Sequence, residues 1–171
     1  GKLLGRGRNR VDAAGCLIGR GRRGGGPLRR AVHACRDLAR HALHVGGRLS
    51  DHGLNVAHAS PVSDAEASRI FDRARSGVAA TPVEMDQFAS NIMLHVGRLN
   101  AAKGWTMQLH LGPIRNNNSR LARQIGADVG VDSIGDWPQA ERVAWFMDQL
   151  DAEQHLPKMI LYNLNPSDNY V

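Results

Sequence analysis

The stretch W-T-M-Q-L-H-L-G-P-I-R-N-N-N-S-R, from Trp105 to Arg120, decides the fold. Trp105, Met107, Leu109 and Leu111 alternate with Thr106, Gln108 and His110. A period of two marks a β-strand, because successive side chains leave on opposite faces. One face is apolar and calls for covering helices; the other is polar and must look into something wetter. Gly112 and Pro113 end the strand, and three asparagines flanked by Arg115 and Arg120 follow. A histidine near the carboxyl end of a strand, backed by a polar loop, is where (β/α)-barrel enzymes keep their chemistry.

Working outward, the chain punctuates itself from Ala31 onward. Ala31 to His44 reads as a helix stopped at Gly46-Gly47, which suit a left-handed cap. A short strand into Ser50-Asp51-His52 follows. Ser63 with Glu66, and Thr81 with Glu84, have the spacing of capping boxes, the second with Pro82 at the first helical position. They predict helices over 64–75 and from 82 to the stop at Gly104. A short helix is expected around 120–125, and one from Pro138 to Glu153 capped by Asp136. Lys158 to Leu164 reads as a final buried strand. Strands alternating with helices argue for parallel βαβ units.

Charge divides the chain. Residues 1–48 hold eleven Arg and one Lys against Asp12 and Asp37, while residues 49–171 hold ten basic and fourteen acidic residues. The high pI therefore describes the opening segment alone. That segment has eleven of the nineteen glycines and no Phe, Trp or Tyr, too little apolar surface to offset the entropy of ordering. It could track phosphates, be a disordered leader, or hold coding sequence read out of frame over residues 1 to about 30. The nucleic-acid reading is disfavoured, since no stacking aromatics interleave the arginines. Cys16 and Cys35 lack the spacing of a disulfide framework or zinc site. No apolar run is long enough to span a membrane, and a cytoplasmic setting is the default expectation.

From the residues alone, His110 reads first as a hydrogen-bonded structural histidine. Its polar face and its place beside the strand end argue for function instead. Asparagines tolerate left-handed backbone and form side-chain turns, so Asn116, Asn117 and Asn118 could be loop architecture. Ser50, Asp51 and His52 cannot form a catalytic triad, because consecutive strand residues alternate faces; Asp51 and His52 could orient neighbours. Asn163 and Asn165 share a face at the last strand end, or simply form the turn into Pro166.

Met107-Gln108-Leu109-His110 through Arg115-Asn116-Asn117-Asn118 resembles the fifth-strand region of uronate isomerases, sugar-acid enzymes of the amidohydrolase superfamily. The resemblance takes in Arg48 to Gly53, Asp132 to Asp136, Leu156-Pro157-Lys158 through Asn165-Pro166, and Asp168-Asn169. It implies an α/β fold, a partial (β/α) TIM-type barrel with parallel strands and packing helices, not closed. A complete barrel takes about 250 residues, so the 171 residues are expected to be an internal piece. Residues 1–45 would be the Arg/Gly-rich leader running into a helix, and 46–171 the central part of the barrel.

The resemblance further implies aldose–ketose isomerisation between D-glucuronate and D-fructuronate, and between D-galacturonate and D-tagaturonate. It casts His110 as the catalytic residue, touching substrate or metal-bound water. Arg115, Asn116, Asn117, Asn118 and Asn163 would hold the sugar acid, supported by Asp51 and His52. The complete family enzyme binds one divalent metal, zinc or manganese, through a His-x-His pair and an eighth-strand Asp. No two of the eight histidines here are two positions apart, and the eighth-strand carboxylate is expected beyond Val171. No metal ligand is therefore assigned, and the isolated chain is expected to be inactive. The expected partner is a hexuronate, with open strand edges also favouring a homo-oligomer. The competing readings are an inert remnant and an Arg/Gly-tailed nucleic-acid binder.

Overall fold

The computed structural model describes residues 27–44, 46–126 and 129–170, with side chains from Cys35 onward. The expectation of an irregular, loosely helical or out-of-frame leader covers residues 1–30; residues 1–26 lie outside the described residues, and residues 27–30 begin the first helix. Three parallel strands carry the architecture. β1 (Leu49–Leu54), β2 (Thr106–Leu111) and β5 (Lys158–Asn163) form one sheet in the order β1-β2-β5. The segment between β1 and β2 supplies α2 (Asp64–Arg75) and α3 (Pro82–Lys103), and α1 (Pro27–His44) precedes β1. Between β2 and β5 lie β3 (Pro113–Ile114), α4 (Ser119–Ile125), β4 (Ser133–Ile134) and α5 (Ala140–Ala152). A 3-10 turn over Pro166–Tyr170 closes the described chain.

The helix ends follow their capping residues. Ser63 Oγ accepts from Glu66 N at the start of α2. Thr81 Oγ1 accepts from Glu84 N, and the Glu84 carboxylate accepts from Thr81 N, giving α3 a full capping box. At its other end Gly104 takes φ 62°, a left-handed conformation that favours glycine. α5 differs from expectation. It starts at Ala140 with Gln139 before it and no side-chain cap, while Asp136 accepts from Asn165 Nδ2 at 3.1 Å. Asp136 thus ties a loop to the end of β5 instead of capping the helix.

The alternation along β2 is borne out. Met107, Leu109 and Leu111 are at most 1% exposed and pack with Met93, Val143, Phe146 and Leu150 of α3 and α5. Burying each such side chain contributes about 1.5–3 kcal/mol. Where α3 and α5 cross, Gly97 leaves room for Leu150.

β1 extends two residues past His52, further than expected. The parallel register pairs Asp51 with Gln108, Gly53 with His110 and Leu54 with Leu111. Beyond it, residues 55–60 are held against α3 and α5. Gln139, 4% exposed, donates to Asn55 O and accepts from Ala57 N. Arg142 Nε donates to Ala57 O, and its Nη2 bonds Asp86 at 2.6 Å. His58 Nδ1 and Ser60 Oγ meet the same carboxylate. Burial alone would raise the Asp86 pKa, but the bonds from Ser60, His58 and Arg142 outweigh it and hold the group below its ordinary value.

Candidate active site

The sheet register brings Asp51 and His110 together on the face opposite the helix-packed core. His110 Nε2 lies 2.9 Å from Asp51 Oδ1. The contact is an ion pair when the imidazole is protonated. Gln108 Nε2 donates to the same Asp51 oxygen at 3.4 Å, a long bond. Tyr162, opposite His110 on β5, stacks on the imidazole with centroids 4.7 Å apart and planes 13° from parallel. The ring is therefore fixed at one edge by charge and on one flank by an aromatic face.

Past Gly112 the chain turns over this end of the sheet. Arg115 Nη1 bonds Asp132 Oδ2 at 2.7 Å, and Asn116 N donates to Asp132 Oδ1 at 2.8 Å. The β3–β4 ladder, Pro113 against Ile134 and Ile114 against Ser133, holds the two loops together. A Cβ on Gly53 would come within 2.7 Å of an Arg115 Nη, so the guanidinium lies across the end of β1. His110, Arg115, Asp132 and Ser133 line a cavity of about 290 Å³ with Pro113, Ile134 and Leu164. The cavity is open and carries one cation beside one imidazole.

The structure distributes the other expected site residues differently. Asn116 sits at φ 52° with a buried side-chain oxygen. Asn117 Nδ2 donates to Ser133 Oγ. Asn118 Oδ1 accepts from Leu121 N and caps α4. Each asparagine therefore has a loop-building contact, and none of the three lines the cavity with Arg115. Arg120 bonds Gln124 within α4. Asn163 reaches the right end of the sheet but not the face of His110: it pairs with buried Leu111 and donates to Asp168 O and Asn169 Oδ1. His52 is 5% exposed on the helix side. Its Nε2 meets Ser50 Oγ, which donates to Asn100 Oδ1 of α3. Asp51 and His52 thus serve opposite layers, as strand geometry requires.

Three contributors escaped the sequence reading: Tyr162, Asp132 and Gly53. Tyr162 could have been found from register alone, since it shares a lateral row with His110 once the strands are aligned.

A divalent metal fits poorly with what is present. Among the described residues no three His, Cys, Asp or Glu side chains converge on a common point. A larger groove of about 410 Å³ lies away from the strand ends, between α1 and α3. Its lining includes neither His110 nor Arg115. Among the described residues no helix is long and apolar enough to cross a membrane.

Comparison with known proteins shows the family and the fold. Residues 28–171 match the family model described as glucuronate isomerase. The chain is 59% identical over 127 residues to a uronate isomerase of Solibacter usitatus, covering 74% of this chain and 27% of that protein. It is 53% identical over 126 residues to the uronate isomerase of Opitutus terrae, with the same shares covered. Among solved structures, uronate isomerase from Thermotoga maritima superposes with a TM-score of 0.71 at 26% identity, covering 83% of this chain and 30% of that one. Glucuronate isomerase from Caulobacter crescentus gives the same TM-score and identity over 80% and 28%. The chain spans about 27% of the length of the curated relatives it matches.

Proposed function

The chain belongs to the glucuronate isomerase family, and from that premise we propose that the complete protein interconverts D-glucuronate with D-fructuronate and D-galacturonate with D-tagaturonate. The three parallel strands and their helices are part of a (β/α) barrel, and the His110–Arg115 cavity is part of its mouth. The observation that carries this reading is His110, held by Asp51 on the polar sheet face, sharing one cavity with Arg115.

Isomerisation moves a proton between C2 and C1 through an enediol, so the sugar must be held with both carbons beside proton-handling groups. Arg115 supplies a planar guanidinium for the hexuronate carboxylate. Asp132 competes for that guanidinium and keeps it in place when no acid is bound. His110 offers a ring nitrogen to a sugar hydroxyl, and Asp51 stabilises the imidazolium if the ring takes up a proton. Tyr162 and Gln108 keep the ring and the carboxylate oriented. The family metal, zinc or manganese, would polarise the carbonyl from ligands other than those described here.

The test is a graft. This chain replaces the matching segment of the Solibacter usitatus uronate isomerase, and turnover of D-glucuronate is measured. The chimera is expected to be active, to lose about 100-fold or more on His110→Ala, and to show a raised KM on Arg115→Gln. The 171 residues alone, with zinc or manganese added, are expected to show no turnover. A folded chimera in which His110→Ala leaves kcat and KM unchanged refutes the proposal.

A further inference from the structure

We propose that the groove between α1 and α3 is a second binding site, remote from the mouth, for a small ligand carrying adjacent phosphates. The groove measures about 410 Å³, within the range of small-molecule pockets. Its polar lining is almost wholly basic: Arg36 and Arg40 from α1, His95, Arg98 and Lys103 from α3, and His155 from the segment before β5. Arg36 and Arg40 are four residues apart on a helix, so their side chains leave one face about 5–6 Å apart. Two guanidiniums at that spacing match two neighbouring anionic groups better than a single carboxylate.

The charges are not all cancelled locally. Glu153 takes Arg98 in a two-pronged pair at 2.6 and 2.7 Å, and Arg98 holds the Glu153 carboxyl down at about 2. Asp64 stands 3.4 Å from His95 Nε2. Among the described residues, neither hydrogen bond nor ion pair engages Arg36, Arg40 or Lys103. His95 registers the surplus. Burial lowers its pKa, Asp64 pulls it up, and Arg98 and Arg36 press it down again. Long-range repulsion from Arg36 reaching a half-buried imidazole means that the cations converge on one space. No aromatic residue lines the groove, so nothing is provided to stack a nucleobase. That favours a small phosphate ligand over a nucleic-acid strand.

The experiment titrates inorganic pyrophosphate into the full chain at constant ionic strength, by calorimetry and by NMR of the His95 ring. Saturable one-to-one binding is expected, together with a rise in the His95 pKa as the bound anion offsets Arg36 and Arg98. Arg36→Gln with Arg40→Gln should weaken binding about tenfold or more, since each removes a charge-assisted bond. Lys103→Gln should weaken it separately. All three residues are at the surface or partly so, and the unchanged folding of each variant is checked by its amide spectrum. Arg120→Gln, on α4, should change nothing. Adenosine diphosphate is the second arm: binding equal to pyrophosphate points to free phosphates, and tighter binding to a nucleotide, on the same basic groups. Absence of saturable binding, or unchanged binding in the Arg36/Arg40 variant, overturns the proposal. So does single-stranded RNA that binds more tightly than either probe.

Discussion

A methyl group on Gly53 would stand 2.7 Å from an Arg115 Nη. The atom it meets is the end of a flexible side chain, so the arginine moves and the backbone does not. Gly53→Ala is therefore expected to change stability by less than about 1 kcal/mol, while displacing Arg115 from Asp132 and weakening hexuronate binding. Chemical denaturation alongside a D-glucuronate titration separates the two effects; a large stability loss with unchanged binding contradicts this assignment. Asp86 is the opposite case, a single carboxylate serving His58, Ser60 and Arg142. Asp86→Asn should cost about 2 kcal/mol at neutral pH, because Arg142 and His58 lose their charged partner. Its folded pKa lies below the ordinary value. The stabilisation is thus present above the unfolded pKa near ~4 and lost as pH falls through the folded one. The gap between the denaturant midpoints of wild type and Asp86→Asn should start to narrow at about pH 4 and close only once the pH is below the folded pKa. A gap that persists there would mean the loss at neutral pH is steric.

Elements were legible where the signal is local. The period of two along β2, the capping box of α3 and the stop at Gly104 depend only on nearby residues, and each stands in the structure; at α2 only the Ser63 half of the expected box forms, and Glu66 pairs with Arg69. β1 ran past its expected end because its length is set by pairing with β2, not by its own composition. The β3–β4 pairing and the free start of α5 depend on loop contacts far apart in sequence. The site divides in the same way. His110 was visible from alternation and Arg115 from the resemblance, but the placing of Arg115 across the end of β1 beside Asp132 depends on the β3–β4 ladder. Asp132, Tyr162 and Gly53 entered only through register. Gly97, at the crossing of α3 and α5, gives a test at this scale. Alanine would raise helix propensity by about 1 kcal/mol, but its Cβ would stand 2.5 Å from Leu150 Cδ1. Overpacking a dense core costs about 1–3 kcal/mol, and Leu150 is fully buried. Gly97→Ala is expected to destabilise, with thermal unfolding as the measure; Leu150→Ala added to it should cost less than the sum of the two. A stabilising Gly97→Ala would mean that the helices are not held at this distance.

At the scale of the whole molecule, an ordered interior meets an open sheet. β2 is central and covered by α3 and α5, whereas β1 and β5 are the outer strands among the described residues. Ile160, Leu161 and Tyr162, on both faces of β5, remain 37–43% exposed, so this outer strand is not the buried one its apolar composition suggested. The polar side of this sheet holds a fixed imidazole and a guanidinium and, among the described residues, no converging metal ligands. On the proposed function, such a segment would contribute substrate-holding groups to a barrel mouth. The most direct test is an NMR titration of D-glucuronate into the 171-residue chain, following the His110 ring. A saturable shift of His110 that disappears in Arg115→Gln is the predicted result. A ring signal that stays still at high substrate concentration, or shifts equally in Arg115→Gln, would contradict it.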